Sequence, residues 1–145
     1  MIEIFTPTVP AFAKFAQRIS VPFSPVVRAG DWVYVSGLAP VNPETGGYDI
    51  LTIEQQARRV MEHLKSCLEA AGSALDRIVK CNVYCSNGSY FAEINKVYSE
   101  YFTTHKPARI FICTAGWFGP LMRIMAASAP SKYGLASAFF PCCAR

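Results

Sequence analysis

Histidine is nearly absent from this chain: 145 residues contain two, His63 and His105. A zinc site built on the six cysteines, Cys67, Cys81, Cys85, Cys113, Cys142 and Cys143, would therefore lack ligands. Cys81 and Cys85 share one face of a strand, but the two histidines fall on or after helices. Acid is the second shortage, with ten Asp and Glu against fourteen Lys and Arg. None occurs after Glu100, so nothing beyond that point supplies a carboxylate for acid–base work. No run of 18 apolar residues exists, which excludes a transmembrane helix among the expectations. A secretory signal is missing too: Glu3 stands where a basic region belongs, and Pro7, Pro10, Lys14 and Arg18 interrupt any apolar core. The cysteines then read as reduced thiols of a cytoplasmic protein. Lys14 and Arg18, set among Phe and Ala, leave organellar import open. Repeats, low-complexity tracts and cofactor motifs are also lacking, and no cofactor or metal is expected.

What is present is a core. Hydrophobic residues make up 52% of the chain and charged residues 17%, a balance that excludes disorder. The length suits one domain, residues 1–145, that buries roughly two-thirds of its unfolded surface. The net charge of +4 is dispersed, and the only basic doublet is Arg58-Arg59 on a helix face. Nucleic acid would ask for a basic stripe, so no nucleic-acid partner is expected, and no membrane partner either.

The chain opens with an irregular, proline-containing arm over residues 1–20. Trp32 to Gly37 is a β-branched and aromatic run and predicts a strand, with Val26–Arg28 before the Ala29-Gly30-Asp31 turn. Asn42 to Gly47 is turn chemistry. Thr52 and Gln55 form a capping-box pattern, and Ile53, Ala57, Val60, Leu64, Cys67, Leu68 and Ala71 make one apolar helical stripe ended by Gly72. Leu75 to Cys85 reads as a strand. After a loop whose Ser89 can cap, Phe91, Ile94, Val97, Tyr98, Tyr101 and Phe102 line a second helix. Ala108 to Thr114 is a strand with Arg109, Phe111 and Cys113 on one face, and Leu121 to Ala127 is a last strand. Residues 128–145 form a weakly patterned tail.

This order predicts an α+β fold, a mixed sheet with two helices packed on one face. Both sheet faces carry apolar residues while helices cover one. The second face calls for a partner, and a closed oligomer supplies it economically.

Several segments together resemble the RidA/YjgF family, reactive intermediate deaminases once labelled endoribonuclease L-PSP. They are Ser24 to Gly37, Asn42 to Gly46, Ile53 to Gln56, Leu68 to Ser73, Ile78 to Tyr84, Phe91 to Phe102 and Pro107-Ala108-Arg109, in the family's order over roughly residues 20–127. The resemblance implies a chorismate-mutase-like fold and a barrel-like homotrimer with clefts between subunits. It implies hydrolysis of enamines and imines of amino acids to a 2-keto acid and ammonia. Arg109 matches the family's arginine for the substrate carboxylate, a group that guanidinium grips in bidentate fashion. Ser36 and Asn95 match residues near the substrate; either can instead stabilise its own loop or helix.

The departures from the family are as informative. The acid that helps position water on the last strand has no counterpart here, and Arg123 or Met125 occupies its place. A common tyrosine is Val26, and a cysteine two residues past the arginine is Phe111. Trp117 and Phe118 add aromatic walls or pack in the trimer. The substrate-binding set is thus Ser36, Asn95, Phe111, Trp117 and Arg123 around the catalytic Arg109, with a small carboxylate as ligand. Three readings stay open: an imine deaminase, a divergent biosynthetic enzyme that cyclises, isomerises or dehydrates an apolar or aromatic substrate, and a non-catalytic ligand-binding trimer. The old ribonuclease label finds no His/Lys/Glu constellation here.

Overall fold

The computed structural model describes residues 3–20, 22–114 and 127–130. Nine regular elements lie in that span: β1 (Ile4–Phe5), α1 (Ala13–Arg18), β2 (Val26–Ala29), β3 (Trp32–Val35), α2 (Ile53–Ala70), β4 (Lys80–Cys85), α3 (Phe91–Tyr101), β5 (Ala108–Cys113) and β6 (Ala127–Pro130). The six strands form one sheet in the order β1-β2-β3-β6-β4-β5. Only the β4–β5 pair is parallel, connected through α3; all other pairs are antiparallel. The sheet is mixed, as the element order predicts.

Helix α2 begins where the sequence signals it. Gln55 N–H donates to the Thr52 hydroxyl oxygen at 3.3 Å and Thr52 N–H to Gln55 Oε1 at 2.9 Å, so both halves of the capping box are closed. It ends against Gly72, whose φ of 76° lies in the left-handed region that glycine enters freely. Val60, Met61, Leu64, Cys67 and Leu68 are fully buried beneath it. The sheet meets them with Val26, Val33, Val35, Cys81, Val83 and Cys85, all buried and kept on one face by the strand registers. Each valine, leucine or methionine among them contributes about 1.5–3 kcal/mol by leaving water.

Among the described residues, none gives the opposite face such cover. Ile4, Trp32, Tyr34 and Ile110 remain 71%, 39%, 47% and 41% exposed. Their registers put all four on the side away from the helices.

Four expectations need adjustment. The arm contains the two-turn helix α1 rather than irregular chain alone, because the Asn42–Gly47 turn holds it. A Cβ on Gly46 would stand 2.4 Å from the Lys14 carbonyl carbon, so only glycine lets these backbones meet. Leu75–Arg77 is a single 3-10 turn, and the strand after it starts at Lys80. Asn87, not Ser89, supplies the cap before α3, its Oδ1 accepting from Ser89 N–H at 2.9 Å. The expected strand over 121–127 lies outside the described residues except for Ala127. The described β6 runs through Pro130 and so takes in the first residues assigned to the tail.

Candidate functional site

Arg109 is the second residue of β5, the strand at the far edge of the sheet from β1. Strand alternation turns it to the helix side, in register with Cys81 of β4. Helix α3 crosses that side, and its stripe Phe91, Asn95, Tyr98, spaced by four and three, faces the guanidinium. Arg109 Nη1 donates to Asn95 Oδ1 at 2.5 Å. Its Cζ lies 4.8 Å from the Tyr98 ring centroid and 5.9 Å from both Phe91 and Phe111. Phe91 and Phe111 meet edge to face at 4.9 Å and 75°. A cation among aromatic faces is attracted by the rings' quadrupoles and held in place by their packing.

Beside this cluster lies a cleft of about 320 Å³ walled by Asn95, Tyr98, Ser99, Phe102, Lys106, Pro107 and Arg109. Two of these residues are cations and none is an acid. Burial, with Cys81 adding to it and Arg109 opposing, pushes the Tyr98 phenol well above its ordinary range. Tyr98 therefore stays protonated near neutrality and cannot serve as a base. Chemically, the cleft can bind a carboxylate against Arg109 and Lys106 and exclude water with its aromatic walls.

Of the predicted residues, Arg109, Asn95 and Phe111 come together. Ser36 does not join them within one chain. Its hydroxyl donates to the Ser24 carbonyl at 2.5 Å, and β6 and β4 separate β3 from β5, three strand spacings or roughly 14 Å. Trp117 and Arg123 lie outside the described residues. Sequence reasoning missed Lys106, three residues before Arg109, the cleft role of Tyr98 and the packing of Phe91 against the guanidinium. The helical periodicity that assigns those two rings to a core stripe also points them at β5.

The histidines have structural work. His63 Nε2–H donates to the Val41 carbonyl at 2.9 Å, under Phe12 at 4.8 Å between centroids. His105 bonds the Ile78 carbonyl at 2.5 Å. Among the described residues no three His, Cys, Asp or Glu side chains gather as metal ligands would, and no helix is long and apolar enough to cross a membrane.

Residues 15–121 match the family model described as Endoribonuclease L-PSP. The chain belongs to that family, RidA/YjgF. A RutC family protein of Pyrococcus abyssi is 40% identical over 101 residues, 70% of this chain and 80% of the relative. The crystal structure of yeast Mmf1 superposes with a TM-score of 0.76 at 32% identity, over 90% of this chain and 100% of that one. The YjgF gene product of E. coli gives 0.73 at 30% identity, over 86% and 96%. The mixed α+β fold is that of the RidA-type structures.

Proposed function

We propose that this protein is a small-molecule enzyme of the imine-deaminase type, acting on a carboxylated imine. The observation that carries the reading is Arg109, held by Asn95 and ringed by Phe91, Tyr98 and Phe111 at the mouth of a cleft. The substrate carboxylate pairs with the guanidinium, and the Asn95 amide N–H₂ donates to the same ligand. Clamped there, the imine carbon meets water at an effective concentration that free solution does not offer. Water adds to the C=N carbon, the resulting carbinolamine transfers a proton to nitrogen, and ammonia leaves as the 2-keto acid forms. No described cleft residue is a carboxylate, so the water is oriented by neutral and cationic groups or by groups of a second subunit.

In this reading the active unit is a barrel-like, chorismate-mutase-like homotrimer. The exposed Ile4, Trp32, Tyr34 and Ile110 on the open sheet face support it, since self-association removes such apolar side chains from water. Ser36 would then enter the cleft from a neighbouring copy, with Trp117 and Arg123 completing the walls. We assign the protein to the cytoplasm, with no nucleic-acid or membrane partner and no cofactor; the yeast relative named mitochondrial, 38% identical over 104 residues, makes organellar import the alternative.

The aromatic cage favours one second reading, a divergent enzyme whose substrate is larger and apolar or aromatic. Arginine would there stabilise an enolate or phenolate. Ammonia release from freshly generated 2-iminobutanoate separates the two. Acceleration by the wild type but not by Arg109→Ala supports deamination. A rate equal to buffer for both proteins removes it for that substrate and leaves the divergent reading.

A further inference from the structure

The two cysteines that close β4 and β5 form a site of their own. Cys85 and Cys113 are the last residues of adjacent parallel strands and stand in register with each other. Neighbouring strands run about 4.8 Å apart, inside the Cα separation of roughly 4.4–6.8 Å that a disulfide spans. Both side chains lie on the same face, with the sulfurs 3.7 Å apart. Bringing them to bonding distance takes a movement of about 1.7 Å. Cys113 has room to make it, because it is exposed while Cys85 is buried. On its other side Cys113 faces Gly88, where an added Cβ would come within 3.4 Å of the sulfur. The Cys113 thiol thus sits between the entry to α3 and the end of β4, reachable from solvent, with a second thiol directly behind it. Cys67 and Cys81, the other described thiols, are buried; Cys81 lies four strand residues away from Cys85, roughly 13 Å.

We propose that Cys113 and Cys85 are a hydroperoxide-reactive dithiol that closes to an intramolecular disulfide joining the ends of β4 and β5. The Cys113 thiolate attacks the peroxide oxygen, the O–O bond breaks, and the thiol becomes a sulfenic acid as an alcohol or water departs. The Cys85 sulfur, having lost its proton, then attacks the Cys113 sulfur; the S–S bond forms and the sulfenic oxygen leaves as water. Two thiols are oxidised by two electrons and one hydroperoxide is reduced. A dithiol reductant reverses the step by exchange. The site does not depend on the imine reading: it uses neither Arg109 nor the cleft.

The test is disulfide mapping of the full-length protein after one equivalent of hydrogen peroxide, with free thiols blocked before digestion. Trypsin with chymotrypsin, which cuts after Tyr84, separates Cys81 from Cys85. The expected product is a Cys85–Cys113 link, lost on treatment with dithiothreitol and absent from Cys113→Ser. In Cys85→Ala, Cys113 should stop at the sulfenic acid and be trapped by dimedone. A wild type in which Cys113 is linked to a different cysteine, persists as sulfenic acid, or remains a free thiol overturns the proposal. The wild-type map and Cys113→Ser decide it even where the buried Cys85 tolerates no substitution.

Discussion

Asn95 Oδ1 accepts a hydrogen bond from Arg109 Nη1 at 2.5 Å, a bond between residues 14 apart in sequence that joins α3 to the edge strand β5. The helix thereby holds the guanidinium at a fixed angle, while Tyr98 at 4.8 Å supplies the surface against which it lies. Arg109 is the group that would touch substrate; Asn95 orients it and can contact the same ligand.

Substitutions at this pair should separate charge from geometry. Arg109→Lys keeps the charge and loses the planar fork, so kcat/KM should fall about 30-fold, equivalent to roughly 2 kcal/mol for a charge-assisted pair. Asn95→Ala should raise KM several-fold with a smaller change in kcat. Asn95→Asp should raise KM further, since its carboxylate competes with the substrate for Arg109. Steady-state kinetics on 2-iminobutanoate reads all three; equal KM values for Ala and Asp would contradict the positioning role.

The uncovered sheet face predicts its own disruption. Tyr34→Lys combined with Ile110→Lys places like charges on a face that assembly would bury, where an unpaired charge is costly. Light scattering should report three chains for the wild type and fewer for the double variant. Helical content should be kept, because both positions point away from the core.

His63 should make stability fall in mildly acidic solution. Burial lowers its folded pKa from the ordinary 6.5, outweighing the Val41 hydrogen bond. Below about pH 6.5 the unfolded chain therefore takes up a proton that the folded chain does not. Stability declines as pH drops from there through the lowered folded value, by at most about 1.4 kcal/mol per pH unit. Asp49 and Glu100, whose values Arg59 and Arg58 hold below the carboxylate range, act in a separate window near pH 4 and lower. Melting curves from pH 7.5 to 5 should slope downward, and His63→Gln should flatten that slope.

The α2 cap is a local device and should behave as one. Thr52→Ala removes the hydroxyl that accepts from Gln55 N–H, with an expected loss of about 1 kcal/mol. The melting temperature should fall by a few degrees with the cleft unchanged. Thr52→Ser should recover most of the loss.

Local patterns alone determined much of this protein. The α2 cap and stop, the apolar stripes of both long helices, the alternation of β4 and β5, and the placement of Arg109 with Phe111 on one strand face all follow from periods of 3.6 and 2. An unpaired second apolar face was legible for the same reason. Tertiary structure decided what those patterns cannot encode. Arm residues 13–18 become helical because Gly46 lets a distant turn reach their backbone. Ser36 bonds to Ser24 instead of joining Arg109 in its own chain, since strand order, not sequence order, sets that separation. Lys106 and Tyr98 become cleft walls only once α3 lies across β5, and Cys85 meets Cys113 only because parallel pairing brings those two strand ends into register. Short-range sequence specifies which face a side chain takes; which faces meet is set by chain packing, through contacts between residues far apart in sequence.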